Sequence, residues 1–188
     1  CITRKDGSTF IAQDGSGLSR GDVLSVTSMY SISVPGAAVD VGVGPSLKDD
    51  LWVVGTDAGI YHWQDSGWVR VPGAASRIDV GPSGPVVLNN SKEIFRWNGS
   101  GWTQMPGAAT DVGVAANGAL WVIGTNSVYG GYGIYRWNGS NWETMPGGAV
   151  AIDLEPNGTP WVLNDQKQIF RWNGSGWTQY PGLEIGRA

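Results

Sequence analysis

The sequence predicts an all-β chain built from small four-stranded antiparallel sheets, and three observations predict it. The dipeptide Pro-Gly returns five times, placing Gly36, Gly73, Gly107, Gly147 and Gly182 at intervals of 37, 34, 40 and 35 residues. A period in the mid-thirties marks a tandem array of one supersecondary unit. Between these dipeptides lie short apolar runs rich in Val, Ile, Trp and Tyr, separated by turn residues and too short for helices. Finally, Asn98-Gly99, Asn138-Gly139 and Asn173-Gly174 each follow a Trp and stand three residues before another. Asn-Gly suits a tight turn with positive φ, so each of these places predicts a hairpin.

Each unit reads as a four-stranded meander. Its first strand is Val-Asp-Val-Gly-Val or a variant, the second Leu-Trp-Val-Val or Pro-Trp-Val-Leu, the third Ile-Tyr/Phe-Arg-Trp, and the fourth begins at Trp102, Trp142 or Trp177. A sheet of about 35 residues with two apolar faces cannot cover both alone, and radial stacking lets each face pack on a neighbour. The expected architecture is therefore a β-propeller occupying 1–188 as one domain, with small first strands at the centre and Trp-rich strands at the rim. Blades are expected over 37–70, 74–104, 108–144 and 148–180. Residues 6–34 align more loosely, with the segment from Asp6 to Asp14 lying over that from Asn157 to Asp165. Joined to 183–188 they would form a further blade, giving five blades with the ring seam at the termini. Closing the ring removes open sheet edges. A six-bladed ring represented by a fragment is the alternative, as is completion of one chain's blade by a neighbouring chain.

Composition narrows the function classes. Twelve Lys and Arg against sixteen Asp and Glu give a net charge of −4, a poor balance for binding a phosphate backbone, so no nucleic acid is expected. No apolar run approaches the 18 or more residues of a membrane span. The one cysteine, Cys1, can form no internal disulfide. At the first position it would suit a bacterial lipid anchor, and the expected location is extracellular or at the cell surface. Five Asn-x-Ser/Thr sequons, at Asn89, Asn98, Asn138, Asn157 and Asn173, coincide mostly with turns that structure already explains.

The units resemble tectonin repeats: a Trp, then Pro-Gly four residues later, then Ala-x-Asp-Val, Leu-Trp-Val and Ile-Tyr-Arg-Trp. In general plan they are also similar to the tachylectin-2-like lectins. The match is good from Val34 to Gly182 and loose before it. The resemblance implies a β-propeller lectin of innate defence, binding microbial or cell-surface glycans through several weak, equivalent sites. Some members of the family are instead intracellular adaptors.

Chemistry-bearing residues are sparse. The chain has one His, His62, which stands where other units carry Arg96, Arg136 and Arg171. There is no Gly-x-Ser-x-Gly, no His-Glu-x-x-His and no phosphate-cradling loop, so neither catalysis nor a cofactor is expected. Asp40, Asp79, Asp111 and Asp153 fall at what reads as one point of the first strand. Hydrogen bonding to backbone N–H groups of an adjacent blade accounts for them better than a central metal ion does, and no metal site is expected. The arginines of the third strand alternate with aromatic rings and are expected to stack on a neighbouring blade's Trp.

Strand alternation puts the loops between second and third strands on one face with the Pro-Gly connections. These loops vary, and variable loops on a rigid ring are where recognition concentrates. Asn89, Asn90, Asn126, Tyr129, Tyr132, Asn164 and Asp165 are accordingly the expected ligand contacts. Trp68, Trp102, Trp142 and Trp177 on the outermost strands would offer indole faces to sugar rings. The expected function is a non-catalytic, multivalent carbohydrate-binding propeller. The alternative is a structural or adaptor propeller in a surface assembly or fibre, with self-association through its terminal strands.

Overall fold

In a computed structural model the described residues are 2–3, 9–10, 36–45, 50–65 and 67–181. The chain forms two compact units, Cys1–Pro35 and Gly36–Ala188. In the first, β1 (Ile2–Thr3) pairs antiparallel with β2 (Thr9–Phe10). The expected first blade, its completion by 183–188, the ring seam and the role of Cys1 lie outside the described residues.

The second unit is a succession of four antiparallel meanders. Sheet I comprises β3 (Ala38–Val43), β4 (Leu51–Gly55), β5 (Gly59–Gln64) and β6 (Gly67–Ala74). Sheet II comprises β7 (Arg77–Gly81), β8 (Gly84–Leu88), β9 (Glu93–Trp97) and the first part of β10 (Trp102–Val114). The second part of β10 opens sheet III, continued by β11 (Leu120–Val128), β12 (Gly131–Trp137) and β13 (Trp142–Ala149). Sheet IV is β14 (Ala151–Leu154), β15 (Pro160–Leu163), β16 (Ile169–Trp172) and β17 (Trp177–Tyr180). Among the described residues there are only strands, turns and bends, and no helix is long and apolar enough to cross a membrane. The fold is that of β-propeller blades.

Each apolar core lies between consecutive sheets. Trp52, Val54 and Ile60 of sheet I meet Ile78, Val80 and Val87 of sheet II. Val86, Leu88 and Ile94 of sheet II meet Val112, Leu120 and Val122 of sheet III, and Trp121, Ile123 and Ile134 of sheet III meet Ile152 and Val162 of sheet IV. Each fully buried Val, Leu or Ile contributes roughly 1.5–3 kcal/mol, which no isolated sheet could collect on both faces.

Two polar devices fix how the sheets meet. At the rim, the indole N–H of Trp102, Trp142 and Trp177 donates to the carbonyl of Pro72, Pro106 and Pro146, each at 2.7 Å. The following glycines carry positive φ: 119° at Gly73, 89° at Gly107 and 88° at Gly147. A Cβ on Gly73 would stand 3.2 Å from Trp102 Nε1. Pro-Gly and the outer Trp therefore recur together because one is the seat of the other, one sheet away.

Near the inner strands an aspartate does the equivalent work. Asp40 accepts the N–H of Val41 at 3.1 Å and, across the junction, that of Ile78 at 2.8 Å. Asp79 likewise accepts from Val80 and from Val114 of the next sheet, and Asp111 accepts from Ile152. These are the backbone hydrogen bonds expected from the sequence.

The expectation that the four acids share one register is corrected. Asp40 and Asp111 lie opposite Val54 and Ile123, whereas Asp79 and Asp153 lie opposite Val86 and Trp161, two residues further along the strand. At that second level sheets I and III carry Gly42 and Gly113 instead. A Cβ on Gly42 would stand 2.7 Å from Val80 Cγ2, so the glycine makes room for the next sheet. Sheets I and III are thus one kind and II and IV another, and the repeating unit is a pair of sheets.

The Asn-Gly hairpins also differ from expectation. Only the glycines, at φ 97°, 105° and 98° for Gly99, Gly139 and Gly174, take the left-handed region. The loop spans four residues, closed by Asn98 N–H to Gly101 O, and Asn98 Oδ1 accepts the N–H groups of Ser100 and Gly101. An asparagine side chain capping the loop replaces the two-residue turn.

Two outcomes test these junctions. Trp142→Phe keeps an aromatic side chain but deletes one hydrogen bond and part of the indole's packing, and should cost about 1–3 kcal/mol in urea unfolding. Gly107→Ala forces a side chain into left-handed backbone and should cost about 1–2 kcal/mol. Burial pushes the Asp79 carboxyl from its ordinary 3.8 up to about 6, against the pull of its two backbone N–H donors. A raised carboxyl stabilises the fold when protonated, so this contribution is complete below pH 3.8 and lost as pH rises through about 6. Relative to wild type, Asp79→Asn should therefore gain about 2–3 kcal/mol between pH 4 and pH 7.5, read from unfolding at both values.

Candidate functional site

A cleft of about 630 Å³ opens between sheets III and IV. Its walls are the loop Asn117-Gly118-Ala119, the loop Asn157-Gly158-Thr159 and the turn Asn173-Gly174. This is the face of the Asn-Gly turns, opposite the one on which the sequence placed recognition. The floor and sides are Trp121, Trp137 and Trp172 with Arg136 and Arg171.

Register explains how these side chains meet. Trp121 lies opposite Arg136 and Trp161 opposite Arg171, so each third-strand cation shares a sheet face with the second-strand indole of its own sheet. Arg171 sits 5.7 Å over the Trp161 ring, and His62 stacks on Trp52 at 4.0 Å with 9° between planes. The expectation of stacking on a neighbouring blade's Trp is corrected accordingly. Cross-junction contact is made by the indoles themselves: Trp121 and Trp172 lie 6.4 Å apart, tilted by 56°.

Each asparagine side-chain oxygen of the cleft already accepts an internal hydrogen bond. Asn117 Oδ1 accepts from Ala119 N–H, Asn157 Oδ1 from Thr159 N–H, and Asn173 Oδ1 from Ser175 and Gly176 N–H. Asn117 Nδ2 donates to Asn157 O at 2.6 Å, tying the two walls together. Glu155 accepts Arg171 Nε at 2.6 Å, Trp161 Nε1 at 2.7 Å and Arg171 Nη2 at 3.0 Å. Arg171 and the Trp161 indole hold the Glu155 carboxyl down at about 2. Donors remain. The Arg136 side chain, 51% exposed, is ion-paired with Glu143 at 3.8 Å through Nε without a hydrogen bond, which leaves its guanidinium N–H groups to donate. Trp137 and Trp172 donate no indole hydrogen bond within the described residues, whereas the adjacent rim Trp142 and Trp177 do.

The residues singled out in the sequence are dispersed. Asn89, Asn90 and Trp102 line a second pocket of about 370 Å³ between sheets I and II, with Ile60, Val87 and Phe95 as its apolar wall. There Asn89 is bonded both ways to Glu93. Asn126 accepts the Tyr135 hydroxyl at 2.7 Å, and Tyr129 is 92% exposed at a loop tip. Tyr132 packs on the core between sheets III and IV. Asn164 is buried, its side chain bonded to Gln166 and Gln168, and Asp165 N–H donates to Gly130 O. Trp68 pairs edge-on with Trp63, while Trp102, Trp142 and Trp177 have spent their N–H groups on the preceding Pro-Gly.

Among the described residues no cluster of three or more His, Cys, Asp or Glu could hold a metal ion.

No protein-family model and no curated protein matches the chain. Solved β-propellers are similar in fold. YCF48 bound to a D1 peptide superposes with a TM-score of 0.51 at 17% identity over 75% of this chain and 52% of that one. YCF48 from Cyanidioschyzon merolae gives 0.55 at 16% over 82% and 60%, and the WD40 propeller domain of Doa1 gives 0.53 at 13% over 70% and 49%. The chain thus spans about half to three fifths of the propellers it matches. At these identities the likeness establishes the propeller fold.

Proposed function

We propose that the chain is a non-catalytic interaction module that holds extended, proline-rich segments of partner proteins in the cleft between sheets III and IV. One observation carries this reading: the cleft's asparagine oxygens are each engaged internally, while indole faces and indole and guanidinium donors stay open. Its ligand must then supply acceptors and apolar faces and few donors of its own. A proline-rich chain has that composition, because each proline lacks an N–H and presents a carbonyl and a flat ring. Such segments dock in aromatic-lined grooves already extended, so little ordering entropy is lost. The peptide held by YCF48, a similar fold, is in keeping with this use.

The carbohydrate reading retains one supporting feature, the indole faces. Every sugar hydroxyl, however, also brings a donor, and the cleft's asparagine oxygens are already engaged by backbone N–H groups.

An array of proline-rich peptides and a glycan array, both probed with the full chain, separate the two. Peptide binding is expected, weakened about tenfold by Arg136→Ala, which removes the guanidinium donors. Glycan binding without peptide binding would reverse the assignment.

A further inference from the structure

We infer that the pocket between sheets I and II is a second binding site, and that it takes a tyrosine-bearing segment of a partner protein. The phenol ring enters the pocket, and a backbone carbonyl two residues earlier accepts the Asn90 N–H. The inference is independent of the reading of the first cleft, which opens on the opposite face. Its warrant is that the chain fills the counterpart of this pocket with a segment of its own.

Sheets I and III are one kind and II and IV the other, so the III–IV junction is the counterpart of I–II. Ile60, Val87, Phe95 and Trp102 of the pocket correspond to Ile134, Val162, Phe170 and Trp177. Register fixes the match: Val87 lies opposite Phe95 as Val162 lies opposite Phe170, and Gly59 opposite Ala74 as Gly133 opposite Gly148. The loops at the two rims, Asn89 to Glu93 and Asn164 to Gln168, share one conformation. In each, the asparagine N–H donates to the carbonyl of the last residue at 3.1 Å, and the lysine N–H returns to the asparagine carbonyl. In each, the asparagine Oδ1 accepts the last residue's N–H and the lysine sits at φ 65°. The N–H groups of Asn90 and Asp165 therefore point the same way.

At the III–IV junction both features are occupied. The longer β11–β12 connection folds over it, so that Gly130 O accepts the Asp165 N–H at 3.0 Å and Tyr132 packs on the apolar core. Positive φ at Gly130 (89°) and Gly131 (132°) lets this backbone come close, and a Cβ on Gly131 would stand 2.5 Å from Ala149 O. Sheet I has only the short turn Thr56-Asp57-Ala58 in that place. Ala58, whose carbonyl accepts the Ala75 N–H, stands where Tyr132 stands opposite Ala149. The space so left is the pocket of about 370 Å³, and the Asn90 N–H has no acceptor among the described residues. The II–III junction is of the other sort: Tyr135 replaces Phe95, with its hydroxyl tied to Asn126.

What remains unpaired sets the ligand. Asn89 and Glu93 are bonded to each other, and the Trp102 indole N–H is bonded to Pro72 O. The loop's open backbone donor is then Asn90 N–H, which a carbonyl answers, and the apolar wall beneath it takes a ring. A tyrosine suits a site whose walls are apolar and whose rim carries Asn90 and Ser91, since its hydroxyl stays at the wet end. Ala74 replaces Gly148, where a Cβ would stand 2.5 Å from Tyr129 O, so the ligand's backbone must ride further out than the chain's own loop does.

The test uses the full chain labelled with nitrogen-15 and followed by NMR. The probe is acetyl-Gly-Gly-Tyr-Gly-amide, which copies Gly130 to Gly133. The Asn90 amide and the Trp102 indole signals should shift and saturate together. Replacing the peptide's tyrosine by alanine should weaken binding at least about tenfold. Asn90→Pro removes the donor at the second position of a turn, where proline fits, and should weaken binding about fivefold to tenfold. Unmoved Trp142 and Trp177 indole signals certify that this variant is folded. Asn90 and Trp102 signals that stay put at millimolar peptide, whether or not Trp172 moves, would overturn the site. Equal affinity for the tyrosine and alanine peptides would overturn the ring assignment, and undiminished binding to folded Asn90→Pro would overturn the carbonyl contact.

Discussion

The structure depends on how one sheet is seated against the next, and at the rim that seat is an indole N–H on a proline carbonyl. The hydrogen bond is made at three successive junctions with the same 2.7 Å length. It works only because the residue after the proline has left-handed backbone and no side chain, letting the indole edge lie over it. Apolar packing between sheets supplies most of the energy but little direction, since greasy faces slide at small cost. The lock at the rim and the aspartate near the inner strands fix the register at the two ends of each junction. Once both are set, the side chains of the clefts have no freedom in where they stand.

The alternation of two sheet kinds follows from the same need. An inner-strand aspartate must reach the N–H one residue beyond its own level in the next sheet. Had all four acids stood at one level, each would face another carboxylate directly across the junction, in surroundings dry enough to push Asp79 and Asp111 upward already. Staggering them by two residues keeps them on the same strand face and sets Gly42 beside Asp79 and Gly113 beside Asp153. Small residues thus alternate with acids around the junctions, and the pair of sheets becomes the unit that repeats.

Much of this architecture was legible in the residues, and the illegible parts share a cause. Periodicity of Pro-Gly and the short apolar runs place the strands, because turn chemistry and burial act locally. The co-occurrence of Pro-Gly with an outer Trp was visible too, but its meaning lies one sheet away, in a contact spanning 30 residues between Trp102 and Pro72. The stagger of the acids was hidden by aligning on their chemistry when the strand register follows the Pro-Gly. The cleft between sheets III and IV was passed over because its turns are uniform, and uniform turns read as scaffold. Its content comes from strand ends, Trp137 and Trp172, whose side chains are ordinary in sequence and gain their role only when two sheets bring them together.

That origin explains why a fold made of near-identical units need not carry near-identical sites. A cleft at a junction draws one wall from each sheet, so its chemistry is set by the pair and by single exchanges within it. His62 for Arg136, and Gly81 for Glu155, alter which donors and acceptors are left over without touching the lock or the core. Internal pairing is the deciding quantity: Glu155 consumes the charge of Arg171 in sheet IV, whereas in sheet II the matching first-strand position is Gly81 and supplies no carboxylate to Arg96. Specificity in such an array of sheets is then a residue of incomplete satisfaction, carried by whichever polar groups the scaffold itself has not paired.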